Sequence, residues 1–310
     1  MTDTAAATAW SHEALEARVV RYGDLRPCYN AFIDTRSPGS EAKENFTIIG
    51  PGVSENPDQH VHIAEPHGFN IGGARQPPNC VNSQHSHDTA EVFVAHTGHW
   101  RFDLGEHGED AQVHLAPGDV ISIPTRMFRG FTNVGDDVGY LFAVLGGDNP
   151  GRVLWAPQVF DMARDYGLVL LESGKLIDTA AGQRVPADAR TMPPTSATQV
   201  AALARASQAD AERIVWHASP GTGTTPVIGE GAPLGWPHAF TLDRIDLTAG
   251  DTPTRTPIAP EVLFVHAGTI AVVTRDASVT LGMGDVMTIP IGLERRLETA
   301  DAATVYRVSG

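Results

Sequence analysis

From about Thr47 the chain alternates between short apolar runs and turn residues. Runs such as "FTIIGPGV", "AEVFVAHTG" and "GYLFAVLGG" are each bounded by Gly, Pro, Asn or Asp. Regular short strands separated by turn residues are typical of an all-β sandwich or barrel. The spacing becomes helical over 157–167 and 196–214, and a further short helix is indicated over 8–20.

Three blocks of this strand-rich pattern occur twice, in the same order. The second copies follow the first at offsets of 171, 170 and 166 residues: "PHGFNIGGA" and "PHAFTLDRI" (from Pro66 and Pro237), "EVFVAHTG" and "EVLFVHAG" (from Glu91 and Glu261), and "PGDVISIP" and "MGDVMTIP" (from Pro117 and Met283). Repetition at a fixed period indicates duplication of one structural unit. We therefore expect an arm with a short helix over 1–44, a first barrel over 45–155, a helical linker over 156–211 and a second barrel over 212–310.

The first copy of the repeat carries residues that could bind a metal. His85 and His87 are one residue apart, so in a strand both side chains point to the same face. A short turn after His87 would bring Glu91 beside them. Two imidazoles and one carboxylate on one side of an ion leave open coordination positions and suit Fe(II), with Mn, Ni, Co or Zn also possible. The alternative is an exposed polar turn whose histidines are incidental.

These residues resemble the motifs of the cupin superfamily. "HSHDTAE" followed by Gly98 is similar to the first cupin motif, and Gly118 with Pro124 and the later Asn133 is similar to the second. The resemblance covers both copies and implies an all-β chain of two jelly-roll barrels, a bicupin. It also implies that the metal lies inside the barrel that bears His85, His87 and Glu91.

The second motif departs from the family pattern, because Arg129 stands where a further histidine ligand is usual. Arginine has no lone pair to donate to a metal and stays protonated. The metal is then held by three protein ligands alone, or a histidine from elsewhere completes the set, with His60, His62, His67 and His99 as candidates. Arg129 itself could bind a substrate anion as a catalytic and substrate-binding residue, pair with Glu91, or face outward. Phe131 and Tyr140 are further candidates for contact with the substrate.

The second copy lacks the histidines. At the offset of 170 residues, His85 corresponds to Arg255 and His87 to Pro257, while Glu91 corresponds to Glu261. A single carboxylate cannot hold a catalytic transition metal, so the second barrel is predicted to be metal-free. Arg295 could pair there with Glu261. Trp236 and His238 could line a binding cavity, but core packing is the favoured expectation.

Composition and charge exclude several classes of function. The formal net charge of −15 disfavours nucleic acid and anionic membranes as partners, and no apolar stretch is long enough to span a bilayer. Cys28 and Cys80 are too few for a disulfide framework, so we expect a cytoplasmic protein without a signal peptide. A homo-oligomer is plausible, although no residue pattern points to it directly.

Three functions fit the sequence. The favoured hypothesis is an Fe(II)-dependent dioxygenase that uses O₂ on a small anionic substrate, aromatic or dicarbonyl, since the two-barrel architecture resembles that of gentisate and homogentisate dioxygenases. The second is an isomerase, lyase or decarboxylase with Mn, Ni or Zn as a Lewis acid. The third is a non-enzymatic protein that binds small molecules. Substrate identity depends on loops that the sequence does not define.

Overall fold

The computed structural model describes residues 10–235 and 237–310. Its helices are α1 His12–Glu16, α2 Pro157–Asp165, α3 Ala197–Ala201 and α4 Gln208–Arg213, with a 3₁₀ turn at Tyr22–Asp24. Its strands are β1 Val19–Val20, β2 Glu44–Ile49, β3 Val61–Ile63, β4 Phe69–Gln76, β5 Val81–Ser86, β6 Glu91–Thr97, β7 Trp100–Leu104, β8 Ala111–Leu115, β9 Val120–Ile123, β10 Arg129–Asn133, β11 Gly139–Gly146, β12 Leu154–Trp155, β13 Leu168–Leu170, β14 Leu176–Asp178, β15 Val215–Trp216, β16 Gly223–Ile228, β17 Thr241–Leu247, β18 Thr254–Arg255, β19 Glu261–Ala267, β20 Ile270–Val273, β21 Ser278–Leu281, β22 Val286–Ile289, β23 Arg295–Glu298 and β24 Ala303–Ser309. None of the described helices is both long and apolar enough to cross a membrane.

The N-terminal barrel is built from two sheets. One has the strand order β15-β9-β6-β11-β4-β2-β3 and the other β12-β5-β10-β7-β8. Alternate residues of both sheets point inward, and they include Phe93, Phe102, Phe131 and Leu141 in one buried apolar cluster. Burial of these side chains is the main stabilising contribution, because each removes a large apolar area from water.

The C-terminal barrel repeats this arrangement. Its sheets have the orders β1-β22-β19-β24-β17-β16 and β18-β23-β20-β21. Each strand occupies the place of a strand in the N-terminal barrel, β19 that of β6 and β18 that of β5. The two strand orders thus confirm the all-β duplication that the sequence predicts. Inward residues such as Leu263, Val265 and Val305 form its buried core.

The two compact units do not follow the order of the sequence. The C-terminal barrel includes residues 10–25 with α1 and β1, and Leu15 of α1 lies in its core. Of the described residues, the N-terminal barrel comprises 26–219, 227–235 and 237–240, so the segment expected to be a linker lies in this unit. Its edge strand β15 pairs with β9, whereas β1 pairs with β22 in the other barrel. Each barrel therefore takes its edge strand from the segment that precedes the other barrel in the chain.

Candidate metal centre

His85 and His87 lie at the end of β5 and just beyond it, and both side chains are buried. Arg129 pairs with His85, but Phe131, two residues on, pairs with Asn82. One extra residue on β5 marks a β-bulge, which re-aims side chains on the bulged strand. Asn82 and His85 are three residues apart, yet both line the same cavity in the barrel.

Glu91 completes a cluster with the two histidines. One candidate ligand atom from each of the three side chains lies within 4.8 Å of the others, and His87 Nε2 is 3.7 Å from Glu91 Oε1. Bonds of about 2.0–2.2 Å to a metal would place such atoms roughly 3–4.4 Å apart. The three side chains therefore fit a divalent metal with only small shifts.

Arg129 lies behind the carboxylate of Glu91. Its Nε donates to Glu91 Oε2 over 3.1 Å, Nη2 contacts the same oxygen, and Nη1 donates to the carbonyl oxygen of His85 over 3.2 Å. One carboxylate oxygen is thus held by arginine while the other faces His87. Arg129 does not line the cavity; its side chain is buried against Glu91.

Both imidazoles are held in the neutral form that a metal requires. Burial, and next the positive charge of Arg129, set the pKa of His85 and that of His87 well below the usual value. His85 Nδ1 lies 2.7 Å from the carbonyl oxygen of Ser83. Because a carbonyl can only accept, Nδ1 carries the proton and Nε2 keeps the free lone pair.

Trp155 and Glu55 support His85 from the side opposite Arg129. Trp155 is the β12 partner of His85, and the two ring centroids are 5.3 Å apart. The indole Nε1 donates to Glu55 Oε1 over 2.6 Å, and Ile33 N donates to Glu55 Oε2 over 2.8 Å. Burial raises the pKa of Glu55 to about 8. No local pattern in the sequence marks these two residues, which are 100 positions apart.

A cavity of about 70 Å³ lies in front of the candidate ligands. His85, His87 and Glu91 line one part of it, and aromatic side chains such as Phe93 and Trp155 line another. Of the described residues that line it, none is Lys or Arg, and Glu91 is the sole carboxylate. An engineered apolar cavity that binds benzene has about 150 Å³. This space is therefore suited to a ligand smaller than an aromatic ring.

The other predicted site residues are distributed differently. Phe131 lines the cavity, whereas Tyr140 is buried outside it, with its ring against Phe46 and His96. In the described part of the chain, the metal-binding cluster includes none of the other candidate histidines, His60, His62, His67 and His99. His238 is buried and its Nε2 is 2.5 Å from Ser122 Oγ, while Trp236 lies outside the described residues.

The corresponding place in the C-terminal barrel is occupied by arginines. Arg255 pairs with Arg295 across β18 and β23, as His85 pairs with Arg129. Arg295 Nη2 donates to the fully buried Glu261 Oε1 over 2.6 Å, and Arg255 Nε is 2.9 Å from Glu261 Oε2. The predicted Glu261–Arg295 pair is thus present. Both oxygens of this carboxylate have a guanidinium partner.

Neither family models nor curated proteins match this chain, whereas solved structures do. The oxalate decarboxylase of Lactobacillus farciminis, solved as a formate complex, aligns with a TM-score of 0.58 at 10% identity over 94% of this chain and 85% of that one. A mutant of the Bacillus subtilis oxalate decarboxylase gives 0.56 at 10% identity, over 94% of this chain and 76% of that one. A third structure, described by its Mn(II) centres, is also of the B. subtilis enzyme and gives 0.55 at 9% identity over the same shares.

These alignments extend over nearly the whole chain, but at 10% identity they speak to fold alone. The expected likeness to gentisate and homogentisate dioxygenases receives no support from them. Together with the duplicated sheets and the buried His-His-Glu cluster, they show that this chain has the all-β bicupin fold, two jelly-roll barrels with a candidate metal centre in the N-terminal one.

Proposed function

We propose that the N-terminal barrel binds one divalent transition metal through His85, His87 and Glu91 and is the active site of a lyase, a decarboxylase in particular. The observation that carries this proposal is the cluster of two neutral imidazoles and one carboxylate, held in place by Arg129, at the wall of a small cavity. The architectural likeness to oxalate decarboxylase supports the reaction class, and Mn is the first metal to test. A bound metal would supply Lewis acidity toward a substrate oxygen.

The residues of the chain prepare this chemistry in separate ways. His85 and His87 present lone pairs because burial keeps them unprotonated. Arg129 fixes the orientation of Glu91 and offsets its charge. The apolar wall that includes Phe93 and Trp155 lowers the polarity on that side of the cavity, which strengthens the electrostatic interactions beside it.

A dioxygenase reaction is the second candidate. It is favoured by the three-ligand set, since Arg129 occupies the place of a fourth ligand and leaves room for both substrate and O₂. The cavity of about 70 Å³ argues against aromatic substrates and leaves small dicarbonyl compounds for this reaction. Iron would be the expected metal in that case.

The test combines metal analysis with gas measurements. The purified protein is reconstituted with Mn(II), Fe(II) or Zn(II) and supplied with two- to four-carbon oxoacids, hydroxyacids and dicarboxylates, while CO₂ release and O₂ consumption are recorded together. CO₂ release without matching O₂ consumption supports the lyase. Consumption of one O₂ for each substrate molecule converted supports the dioxygenase. His85→Ala should abolish metal binding, whereas His99→Ala, a change at an exposed histidine, should not. Failure of the wild type to bind any of these metals would refute both functions.

A further inference from the structure

One pair of inward positions carries small residues in the N-terminal barrel and charged residues in the C-terminal barrel. Gly72 on β4 and Ala143 on β11 are register partners, and both line the cavity in front of the candidate metal ligands. Their counterparts in the second barrel are Asp243 on β17 and Arg307 on β24, which are also register partners. Equivalent positions of the repeat therefore differ in size and charge.

The strand registers establish this correspondence. Ala143 pairs with the residue two places after Glu91 on β6. Arg307 pairs with the residue two places after Glu261 on β19. Since Glu91 and Glu261 are equivalent in the repeat, Ala143 and Arg307 occupy the same place in their barrels. The residues two positions before them lie in the buried cores, and side chains on a strand alternate between faces, so both positions point inward.

In the C-terminal barrel, an ion pair fills this place. Arg307 donates to Asp243 Oδ2 through Nη2 over 2.6 Å and through Nε over 3.1 Å. Arg307 Nε also lies 3.9 Å from Glu261 Oε2. The side chains of the pair are only 12% and 16% exposed. The interior beside the buried carboxylate of this barrel is thus occupied by side chains of the chain itself.

In the N-terminal barrel, the equivalent positions leave this space open. Glycine has no side chain and alanine has a single methyl group, and the cavity of about 70 Å³ extends over both Gly72 and Ala143. Protein interiors are otherwise close-packed, so an open space beside candidate metal ligands indicates a place for a ligand. The part of the barrel that the chain fills in one copy of the repeat is available to a small molecule in the other.

The charge of the metal cluster indicates suitable probes of this space. Arg129 offsets the charge of Glu91, and burial keeps His85 and His87 neutral. A bound divalent metal would therefore leave an excess of positive charge, which a carboxylate offsets. Small carboxylates are accordingly the probes of choice.

We infer that the substrate of the N-terminal barrel lies over Gly72 and Ala143, in the place of the ion pair of the C-terminal barrel, and that the side chain at position 143 limits its size. This inference rests on the proposed function, because the metal supplies the charge that attracts the substrate. Ala143 is then a specificity-determining residue. A larger side chain there takes up the space of the substrate and leaves the three metal ligands unchanged.

The experiment uses three unbranched carboxylates of increasing length, formate, acetate and propionate. Each is titrated into the Mn(II)-loaded protein, and a fall in the relaxation rate of the water protons reports that the carboxylate displaces water from the metal. The dissociation constant of Mn(II) itself is measured separately from the electron paramagnetic resonance signal of the free ion. We expect the wild type to bind all three carboxylates.

Variants at position 143 test the size limit. Ala143→Leu should weaken propionate binding by about tenfold or more and formate binding by less than about threefold, while the dissociation constant of Mn(II) stays within about twofold. Ala143→Val, a residue well suited to a strand, should give an intermediate loss and serves if the leucine variant does not fold. Ala143→Ser stays small and is the control, with binding like that of the wild type. Circular dichroism checks that each variant is folded.

The outcomes separate this inference from the proposed function. Equal binding of propionate by the wild type and by the folded leucine or valine variant would overturn the inference. So would an equal loss of all three carboxylates, or a wild type that holds Mn(II) but binds none of them. In each of these cases the metal site still stands. A wild type that binds no metal would instead refute the proposed function, and the inference with it.

Discussion

Replacing Arg129 by methionine tests how the two barrels use the same buried carboxylate. In the N-terminal barrel, Arg129 Nε lies 3.1 Å from Glu91 Oε2, and both side chains are buried. At an effective dielectric constant of about 20, two charges at this distance attract by roughly 5 kcal/mol. Removing one partner of a buried pair typically costs about 3–5 kcal/mol, because the other charge is left uncompensated. We expect Arg129→Met to lower the free energy of unfolding of the metal-free protein by this amount.

A divalent metal should reverse the loss. Without Arg129, the cluster carries a full negative charge and no neighbouring cation repels the metal, so the variant should bind Mn(II) or Zn(II) more tightly than the wild type does. At a free metal concentration about 1,000 times the Kd, binding returns about 4 kcal/mol. Urea unfolding followed by circular dichroism, with metal and with EDTA, measures both effects.

Arg295→Met is the matched control in the C-terminal barrel. It removes the equivalent partner of Glu261, but Arg255 still contacts that carboxylate at 2.9 Å, so a smaller loss is expected. Metal should stabilise the Arg295→Met protein no more than it stabilises the wild type, because the N-terminal site is unchanged and the histidines are missing in the C-terminal barrel. The reasoning is refuted if the metal-free Arg129→Met protein is as stable as the wild type, or if it binds metal more weakly than the wild type does. It is also refuted if metal stabilises the Arg295→Met protein as much as it stabilises the Arg129→Met protein.

Three further predictions concern the supports of the site. Burial raises the pKa of Glu55 from 4.5 to about 8, so the folded state binds the proton of Glu55 more tightly than the unfolded state does. The free energy of unfolding should therefore fall by up to roughly 5 kcal/mol as pH rises from about 4.5 to 8. Glu55→Gln should flatten this slope in urea unfolding measured from pH 4.5 to 9, and an unchanged slope would assign it to other groups. Trp155→Phe removes a hydrogen bond that lowers the pKa of Glu55, so the loss of stability should extend to higher pH in the same measurement. Gly98→Ala should destabilise the N-terminal barrel by about 1–2 kcal/mol or more, because Gly98 has φ +79° and a Cβ there would lie 2.7 Å from Gly139 Cα. A thermal midpoint equal to that of the wild type would contradict this prediction.

Much of the fold and of the metal cluster follows from local sequence patterns. The alternation of short apolar runs predicts the strands, and the repeated blocks predict two barrels. The spacing of His85 and His87 predicts that they share one face, and the two do come together with Glu91, although His87 lies just beyond the end of β5. The correspondence of Arg129 with Arg295 is also visible in sequence and is confirmed by the strand registers.

The remaining features depend on pairings that leave no local pattern. Asn82 enters the cavity only because a bulge changes the phase of β5, and a bulge is set by its partner strand. Trp155 and Glu55 meet across 100 residues. Strands of two residues, such as Val19–Val20 and Val215–Trp216, are too short to show periodicity, so the exchange of edge strands is invisible in the sequence.

The exchange of edge strands between the two barrels also affects the order in which they can fold during synthesis. The segment with Leu15 and Val20 is translated long before Val286, where the strand that pairs with Val20 begins. At roughly 5–20 residues per second, about 13–53 s pass before this partner is made. The N-terminal barrel can close once the residues up to Phe240 have emerged, whereas the apolar segment with Leu15 and Val20 must wait until Val286–Ile289 has been made. Nascent chains should therefore expose this segment throughout elongation, and it is the first place to look for a chaperone contact.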